Sequence, residues 1–416
     1  MQQSGFFGKK VVAATFVMAM LGWGIGFYGP PIFLYAVLQR TGWSISLGSA
    51  AVTLHFLAGT LVIVNLPRLY KRFGLPRVTL LGAAVLAMGV LGWAVASQPW
   101  QLFIAAVFSG LGWVCMGAAA VNAVIAPWYA SKRPVALAMA YNGASIGGVV
   151  FSSAWVYLIN TIGFTQAALL VGAVSVLIIA WMAHRVFAIR PEQIGQFADG
   201  ADQPPPITSA ATGTPTTLWC NRQFVTLAAG MSLGLFAQIG LITHLFILLV
   251  EHLSQQHAAL AMGLATASAI VGRTLVGWLM PPNANRRHVA CLSYAVQLTG
   301  CLLMLAATNS PGLIWPGVIL IGAGIGNATS LPPLIAQTEF AREHVTRVVT
   351  LIVATAQGCY AFAPALFGVV KSYSGVEQGG VWIFALAAAI QGLAIAALLA
   401  GKVSAERQLP GHSAAN

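Results

Sequence analysis

The chain of 416 residues alternates long apolar runs with short polar breaks, and nearly every run holds about 20 residues or more. A helix of that length crosses a hydrocarbon layer of ~30 Å at ~1.5 Å per residue and satisfies its own backbone hydrogen bonds in lipid. The runs predict helices near 11–37, 46–66, 77–97, 100–127, 134–158, 164–187, 222–250, 257–280, 288–307, 312–337, 346–370 and 379–401. The expected fold class is therefore an all-α membrane protein with 12 transmembrane helices in two six-helix bundles. One break is long: residues 188–221 carry Pro204, Pro205 and Pro206 beside a Ser/Thr/Ala/Gly stretch, the pattern of a flexible linker. It separates a first bundle, 1–187, from a second, 222–402, with a tail at 403–416.

Composition agrees with this pattern. The chain is 58% hydrophobic and 7% charged, with a mean hydropathy of +0.82, whereas soluble domains are about 45–50% apolar and about 25% charged. The net charge of +12 does not imply nucleic acid, because the basic residues are scattered through short breaks rather than gathered in a patch. With the N-terminus in the cytoplasm, 17 of the 20 Lys and Arg fall on the inner side, Arg40 and Lys371 on the outer side, and Arg273 within span 8. Such a bias predicts cytoplasmic N- and C-termini and a place in the cell's inner (plasma) membrane. Lys9 and Lys10 before the first run copy a secretory leader, but the run is too long for one and reads as span 1. The five cysteines show no metal spacing and no disulfide framework; no metal or cofactor is expected, and the chain is expected to work as a monomer.

The halves resemble each other. The segment from Ala58 to Pro67 aligns with Gly272 to Pro281 at an offset of 214, each at the end of the second helix of its half. The pair Gly110 and Gly112 of span 4 answers Gly322 and Gly324 of span 10 at an offset of 212, where small residues permit close helix approach. A parallel six-plus-six repeat of this kind binds its cargo near the midplane between the halves.

Within the spans one charge has no opposite number. The eight acidic residues all fall in loops, tails or span ends, while Arg273 lies about 10 Å inside span 8. A guanidinium does not deprotonate, and a helix-centre position costs about 2.5–3.5 kcal/mol on insertion scales. An anion arriving from solution would offset that cost, and the planar fork of donors matches a carboxylate. The competing reading is that Arg273 snorkels to the inner headgroups along its own stem.

Other polar residues inside spans are Tyr28, His55, Asn122, Asn142, Gln238, His244, Asn327, Gln357 and Tyr360. Each alone reads first as glue between helices; together they predict a wet central cavity, so all but His55 join Arg273 as candidate substrate contacts. His55 and His244 are the intramembrane groups that titrate near neutral pH, which makes them candidates for proton coupling, although a packing role is the simpler reading of each. Exchange of two anions, or a proton travelling with the substrate, would serve as well.

At this point a family resemblance is visible. GWSISLGSA from Gly42, PWYASKRPVALAMAYNGASIGG from Pro127 to Gly148, GRTLVGW around Arg273 and LPPLIAQTEF from Leu331 to Phe340 resemble the major facilitator superfamily, and more particularly its monocarboxylate-porter and oxalate/formate-antiporter branch. The resemblance implies alternating-access transport and, at Arg273, the branch's carboxylate-binding arginine of helix eight. The antiporters' lysine of helix eleven is missing, since Ala356, Gln357 and Gly358 stand there. The animal porters' aspartate one turn before the arginine is Ala269, and their helix-one lysine near Pro31 is also absent. A single cation favours a monoanion over a dianion. Between helices two and three, the family's Gly, Asp, Arg, Gly pattern is reduced to Pro67, Lys71, Arg72 and Gly74, without the gating aspartate.

Two decoys fall away. Gly143, Ser145 and Gly147 match a hydrolase elbow but lie inside a membrane helix with no acid nearby, and Glu251, His252 and His257 fail the zinc-protease order. The leading expectation is a secondary active transporter of small organic anions, most of all a monocarboxylate, in a lipid bilayer, with a proton or counter-anion as coupling partner. The alternatives are export of drugs or other metabolites, which the GASIGG stretch from Gly143 loosely supports, and a transport-fold sensor. An enzyme is not expected, because no convergent acid, base or metal set lies in the spans.

Overall fold

Local sequence sets where each helix starts and stops. Ser44, Asn221, Ser254 and Asn285 cap spans 2, 7, 8 and 9 by accepting hydrogen bonds from first-turn backbone N–H groups. Gly42 and Gly74, at φ 69° and 81°, end the helices of spans 1 and 2 in a conformation that disfavours any side chain.

The computed structural model describes residues 6–130, 132–201, 218–281, 284–307, 310–328, 330–340, 342–373 and 375–401. Among these every regular element is helical. Eleven helical segments are long and apolar enough to cross a membrane, and a shorter one, Pro311–Ile325, completes twelve. Span 7, Arg222–Val250, and span 5, Arg133–Ile162, are unbroken. Four others are broken near their middles: span 1 into Gly8–Gly26 and Gly29–Thr41, span 4 into Pro99–Trp113 and Ala118–Ile125, span 10 into Ile314–Ile325 and Leu331–Glu339, span 11 into Arg342–Tyr360 and Ala363–Tyr373. Spans 4 and 10 occupy the same place in the two halves, so the repeat extends to the breaks.

The glycine pairs act as the repeat implies. A Cβ on Gly110 would strike the His55 carbonyl of span 2, and one on Gly112 would strike Gly82 and Leu86 of span 3. In the second half a Cβ on Gly322 would strike the Ala265 carbonyl of span 8, Gln255–Leu279, and one on Gly324 the Ser293 carbonyl of span 9, Arg286–Ala306. Each pair thus sets its span against the second and third helices of its own bundle.

The bundles meet at one end. Most Lys and Arg lie at the helix ends beside Lys71, Arg133 and Arg286, here the basic end; Arg40 and Lys371 lie at the opposite end. One apolar core runs through the first bundle and into the opposite-end part of the second, through Phe246, Ala259 and Phe367. The basic-end part of the second bundle, with Phe224, Met231, Leu331 and Ile352, forms a separate core. Correspondingly, spans 2, 5, 8 and 11 expose apolar side chains toward the basic end, such as Val64 (70%), Met139 (56%), Leu279 (75%) and Val353 (42%).

Three hydroxyls at i, i+3 and i+7 on span 2, Ile45–Phe73, stitch the opposite end. Ser46 bonds Ser372, Ser49 donates to His244 Nε2 (2.8 Å), and Thr53 Oγ1 accepts from Ala365 N (3.0 Å). Gln255 adds to this closure by bonding Tyr35 (3.2 Å) and Asn160 (2.9 Å).

Two details differ from the sequence reading. The linker begins with docked residues: Gln196 Oε1 accepts from Phe7 N (3.0 Å), and Asp199 Oδ1 accepts from Ala130 N (3.2 Å) and Lys132 N (3.1 Å). Its proline-rich part, 202–217, and the tail beyond 401 lie outside the described residues. Arg287, assigned to a loop, is 2% exposed and held bidentately by Glu339 (2.6 and 2.7 Å). It also donates to Thr226, Gln223 O and Leu398 O, clamping spans 7, 9, 10 and 12 at the basic end.

Candidate binding site between the bundles

Arg273 stands six residues before the end of span 8, about 9 Å inside it at ~1.5 Å per residue. Helical side chains lean toward the helix N-terminus, which for span 8 is the opposite end, so this stem points to the middle of the membrane and away from the basic-end surface. Its Nε donates to the Gly326 carbonyl at 2.7 Å. That carbonyl is available because span 10 breaks there, and it approaches span 8 because a Cβ on Gly326 would strike the Ala269 backbone, one turn deeper than Arg273. The head is therefore turned inward, which argues against the snorkelling alternative.

With Nε engaged, the two terminal nitrogens of the guanidinium form the outward edge, and among the described residues no acceptor or carboxylate meets them. A carbonyl dipole orients the group without neutralising it. Two turns deeper on span 8, Thr266 lies beside Tyr28, since a Cβ on Gly148 would strike both side chains, and the Thr266 hydroxyl donates to Met262 O (3.0 Å). Tyr28 lies at the break in span 1, and its ring is where a Cβ on Gly148 would fall. Arg273, Thr266, Tyr28 and Gly148 thus draw spans 8, 1 and 5 to one point between the bundles.

Facing this point, the first bundle presents an aromatic wall. Trp23 packs edge-on against Trp113 (5.9 Å) and Tyr141 (6.1 Å), Phe27 against Tyr28 (5.1 Å) and Phe56 (6.1 Å), and Phe56 against Tyr360 of span 11 (6.0 Å). Sequence reading missed Trp23, Phe27 and Trp113, because aromatic residues in an apolar run look like any lipid-facing or core position; the break at Phe27 and Tyr28 carried no hydropathy signal. Gln357 lies one turn from Tyr360 on the same face and is half-buried. Asn142 shares a face with Val149, which meets Gly263 of span 8, and is exposed two turns nearer the basic end.

Five other candidates do not join this group. Gln238 is turned into the second bundle, where its Nε2 donates to Gln297 Oε1 (2.9 Å), and Asn327 lies beside Met231, Ser293 and Tyr294 in the same interior. Both are turned away from Arg273 in this structure: a polar side chain in a span needs a partner, and these find one, or a polar recess, inside their own bundle. Asn122 is tied to Tyr141 Oη (2.7 Å) and Ala118 O (2.9 Å) within the first bundle. His244, 0% exposed, donates through Nδ1 to Gly240 O (2.9 Å) and accepts from Ser49, which places it in the closure of the opposite end. His55 donates through Nε2 to Gly26 O (2.9 Å), freed by the break in span 1, and bonds Ser109 (2.8 Å) through Nδ1. Both imidazoles are held at both nitrogens, as packing histidines are.

Among the described residues no group of three His, Cys, Asp or Glu could hold a metal ion, and none of the five cysteines forms a disulfide.

The family model of the Major Facilitator Superfamily matches residues 11–364. Among curated proteins the chain is 28% identical over 300 residues to MFS-type transporter 1 of Ophiocordyceps sp. (strain BCC 1869), covering 70% of this chain and 62% of that one. It is 25% identical to monocarboxylate transporter 13 of Rattus norvegicus (66% and 61% covered) and 24% identical to human monocarboxylate transporter 11 (91% and 72%). The match thus spans about three fifths of the length of the first two relatives. Among solved structures, a bacterial homologue of the human lysosomal transporter Spinster, inward-facing and unoccupied, superposes with a TM-score of 0.71 at 15% identity, covering 97% of this chain and 100% of that one. A D-xylose-proton symporter superposes with a TM-score of 0.73 at 13% identity, with 95% and 97% covered. At these identities the structures share the fold alone.

Proposed function

Since the chain belongs to the major facilitator superfamily and is a multi-pass membrane transporter by family and fold, we propose that it carries a small monocarboxylate by alternating access, with Arg273 taking the carboxylate. The observation that carries this reading is the fixed guanidinium edge, pinned at Nε by Gly326 O and left without a carboxylate among the described residues. Two parallel charge-assisted bonds suit a carboxylate, and one cation suits a monoanion. Tyr28 supplies a hydroxyl beside it, and the wall of Trp23, Phe27 and Phe56 receives the apolar end of the cargo. The relatives named monocarboxylate transporters support the same class.

The basic end is the cytoplasmic one in this proposal, by the positive-inside bias, with both termini inside an inner (plasma) membrane. The separated cores then describe an inward-open state. A proton or a second anion completes the cycle, and the chain acts as a monomer. The breadth of the aromatic wall favours one competing reading, export of a larger apolar metabolite.

Counterflow in proteoliposomes loaded with labelled lactate, pyruvate or oxalate tests the proposal. A monocarboxylate is expected to exchange in preference to oxalate. Arg273→Lys keeps the charge but loses one of two bonds of about 1.5–3 kcal/mol, raising KM roughly 10- to 100-fold, and Arg273→Ala abolishes exchange. Unchanged exchange in both variants at equal surface expression overturns it.

A further inference from the structure

A second cleft opens at the opposite end of the molecule, also between the bundles. It holds about 360 Å³ and is lined by the last turns of span 1 (Tyr35, Gln39, Arg40), the end of span 5 (Ile159, Asn160) and the start of span 8 (Gln255). That volume is within the ordinary range for a small-molecule site. Its lining contains no acidic residue.

Two cations, Arg40 and Lys371, and two carboxylates, Glu251 and Glu377, belong to this end, and the Glu377 side chain lies outside the described residues. Of its two cations, Lys371 is paired with Glu251. Arg40 meets no carboxylate among the described residues: its Nη2 donates to Trp93 O (3.2 Å) and Ala96 O (2.8 Å), the carbonyls that close span 3, Leu75–Val95. These carbonyls hold the guanidinium in place at a helix C-terminus without cancelling its charge. Its Nε and Nη1 have no acceptor among the described residues, and Arg40 is exposed. A relay of neutral groups stands beside it: Asn160 donates to Gln255, and Gln255 donates to the Tyr35 oxygen. The Tyr35 proton is thereby left to donate elsewhere. The floor, Ile32, Ile159 and Phe164, is apolar.

We propose that this cleft is a second anion site, a vestibule at the opposite end in which Arg40 and the Tyr35 hydroxyl bind the carboxylate of a small monocarboxylate while its apolar end rests on Ile159 and Phe164. That this anion is the cargo itself rests on the function proposed above; that the cleft binds a monocarboxylate does not. Because both bundles line it, an occupant is released when they part at this end, so the vestibule is filled while the opposite end is closed and empties as it opens.

Equilibrium binding of labelled pyruvate to the purified chain in phosphatidylcholine nanodiscs tests this. Wild type is expected to bind two molecules per chain, Arg40→Gln one, Arg273→Gln one, and the double variant none. Gln39→Glu, an isosteric change at an exposed position beside Arg40, is expected to remove the same site as Arg40→Gln while leaving thermal unfolding unchanged, which guards against a folding artefact. Wild-type stoichiometry in both Arg40→Gln and Gln39→Glu overturns the vestibule and leaves the central site standing. Loss of one site in Arg40→Gln with none lost in Arg273→Gln supports the vestibule and overturns the central reading. If phosphatidylglycerol mixed into the discs displaces the Arg40-dependent pyruvate, a lipid phosphate is the occupant and the carboxylate assignment is overturned.

Discussion

Removing one hydroxyl from the stitched end should shift the protein between its two states. Ser49→Ala deletes the donor to His244 Nε2, whose other nitrogen is committed to Gly240 O, so the imidazole keeps a buried acceptor without a partner. An unsatisfied buried polar group costs about 1–3 kcal/mol, and it is paid only while the opposite end is closed, because water reaches the group once the bundles part. The closed-to-open equilibrium should therefore move about 5- to 150-fold toward opening at that end. A minor state populated at about 1% would rise to somewhere between about 5% and 60%. Spin labels at Ser97 and Ser310, loop positions of the two bundles, report the change as a longer inter-label distance in a cysteine-free background. Thr53→Val should act in the same direction, since it removes the acceptor for Ala365 N. Identical distance distributions in wild type and Ser49→Ala would refute the reasoning, because the bond would then contribute equally to both states.

Other outcomes follow from the same geometry. Cysteines replacing Ser46 and Ser372, whose hydroxyls touch, should form a disulfide on oxidation that arrests counterflow and is released by reductant; full activity after verified cross-linking would show that this end need not open. Gly326→Ala forces span 10 off the Ala269 backbone and displaces the carbonyl that anchors Arg273. KM is expected to rise at least about tenfold with expression retained, as for loss of one oriented charge-assisted bond. Glu339→Gln leaves Arg287 buried without its carboxylate, a change that typically costs about 3–5 kcal/mol. Thermal unfolding of purified protein should drop sharply while the KM of surviving protein is unchanged.

Much of the fold was legible because lipid imposes a length on each apolar run. Span 7 was bounded at 222–250 from hydropathy and is Arg222–Val250 in the structure. The breaks in spans 1, 4, 10 and 11 were not legible, since the residues at them, such as Phe27, Gly117, Gly326 and Ala361, are apolar or small and leave the run intact. Arg287 looked like loop because a charge at the end of a run is ordinarily solvated, and its burial depends on Glu339, 52 positions away. Arg273 was legible for the opposite reason: a charge in mid-span needs an explanation wherever its partner lies. Polarity alone could not separate Tyr28, which faces the other bundle, from Gln238, which faces its own. Three glutamines on spans 7, 9 and 12, Gln238, Gln297 and Gln391, could have signalled an internal amide cluster.

The repeat is broken where it matters for cargo. In the alignment of halves, the position of Arg273 falls on Gly59 in the first bundle, where any Cβ would crowd Val114, the Gly110 carbonyl and the Trp113 indole. The first bundle has filled the equivalent space with an aromatic ring, so it has no room for a mirrored cation. In the proposed mechanism the bundles therefore divide the cargo: its charged end belongs to span 8 and its apolar end to the wall around Trp23 and Phe27. A ligand moves a conformational equilibrium only through differential affinity for the two states. The carboxylate meets its charged partner, Arg273, in the second bundle and offers little differential beyond the Tyr28 hydroxyl, whereas each methylene that becomes buried against the other bundle adds about 0.8 kcal/mol to the closed form alone. The tail of the cargo, rather than its charge, is then what drives the bundles together, and the charge decides which tails are admitted.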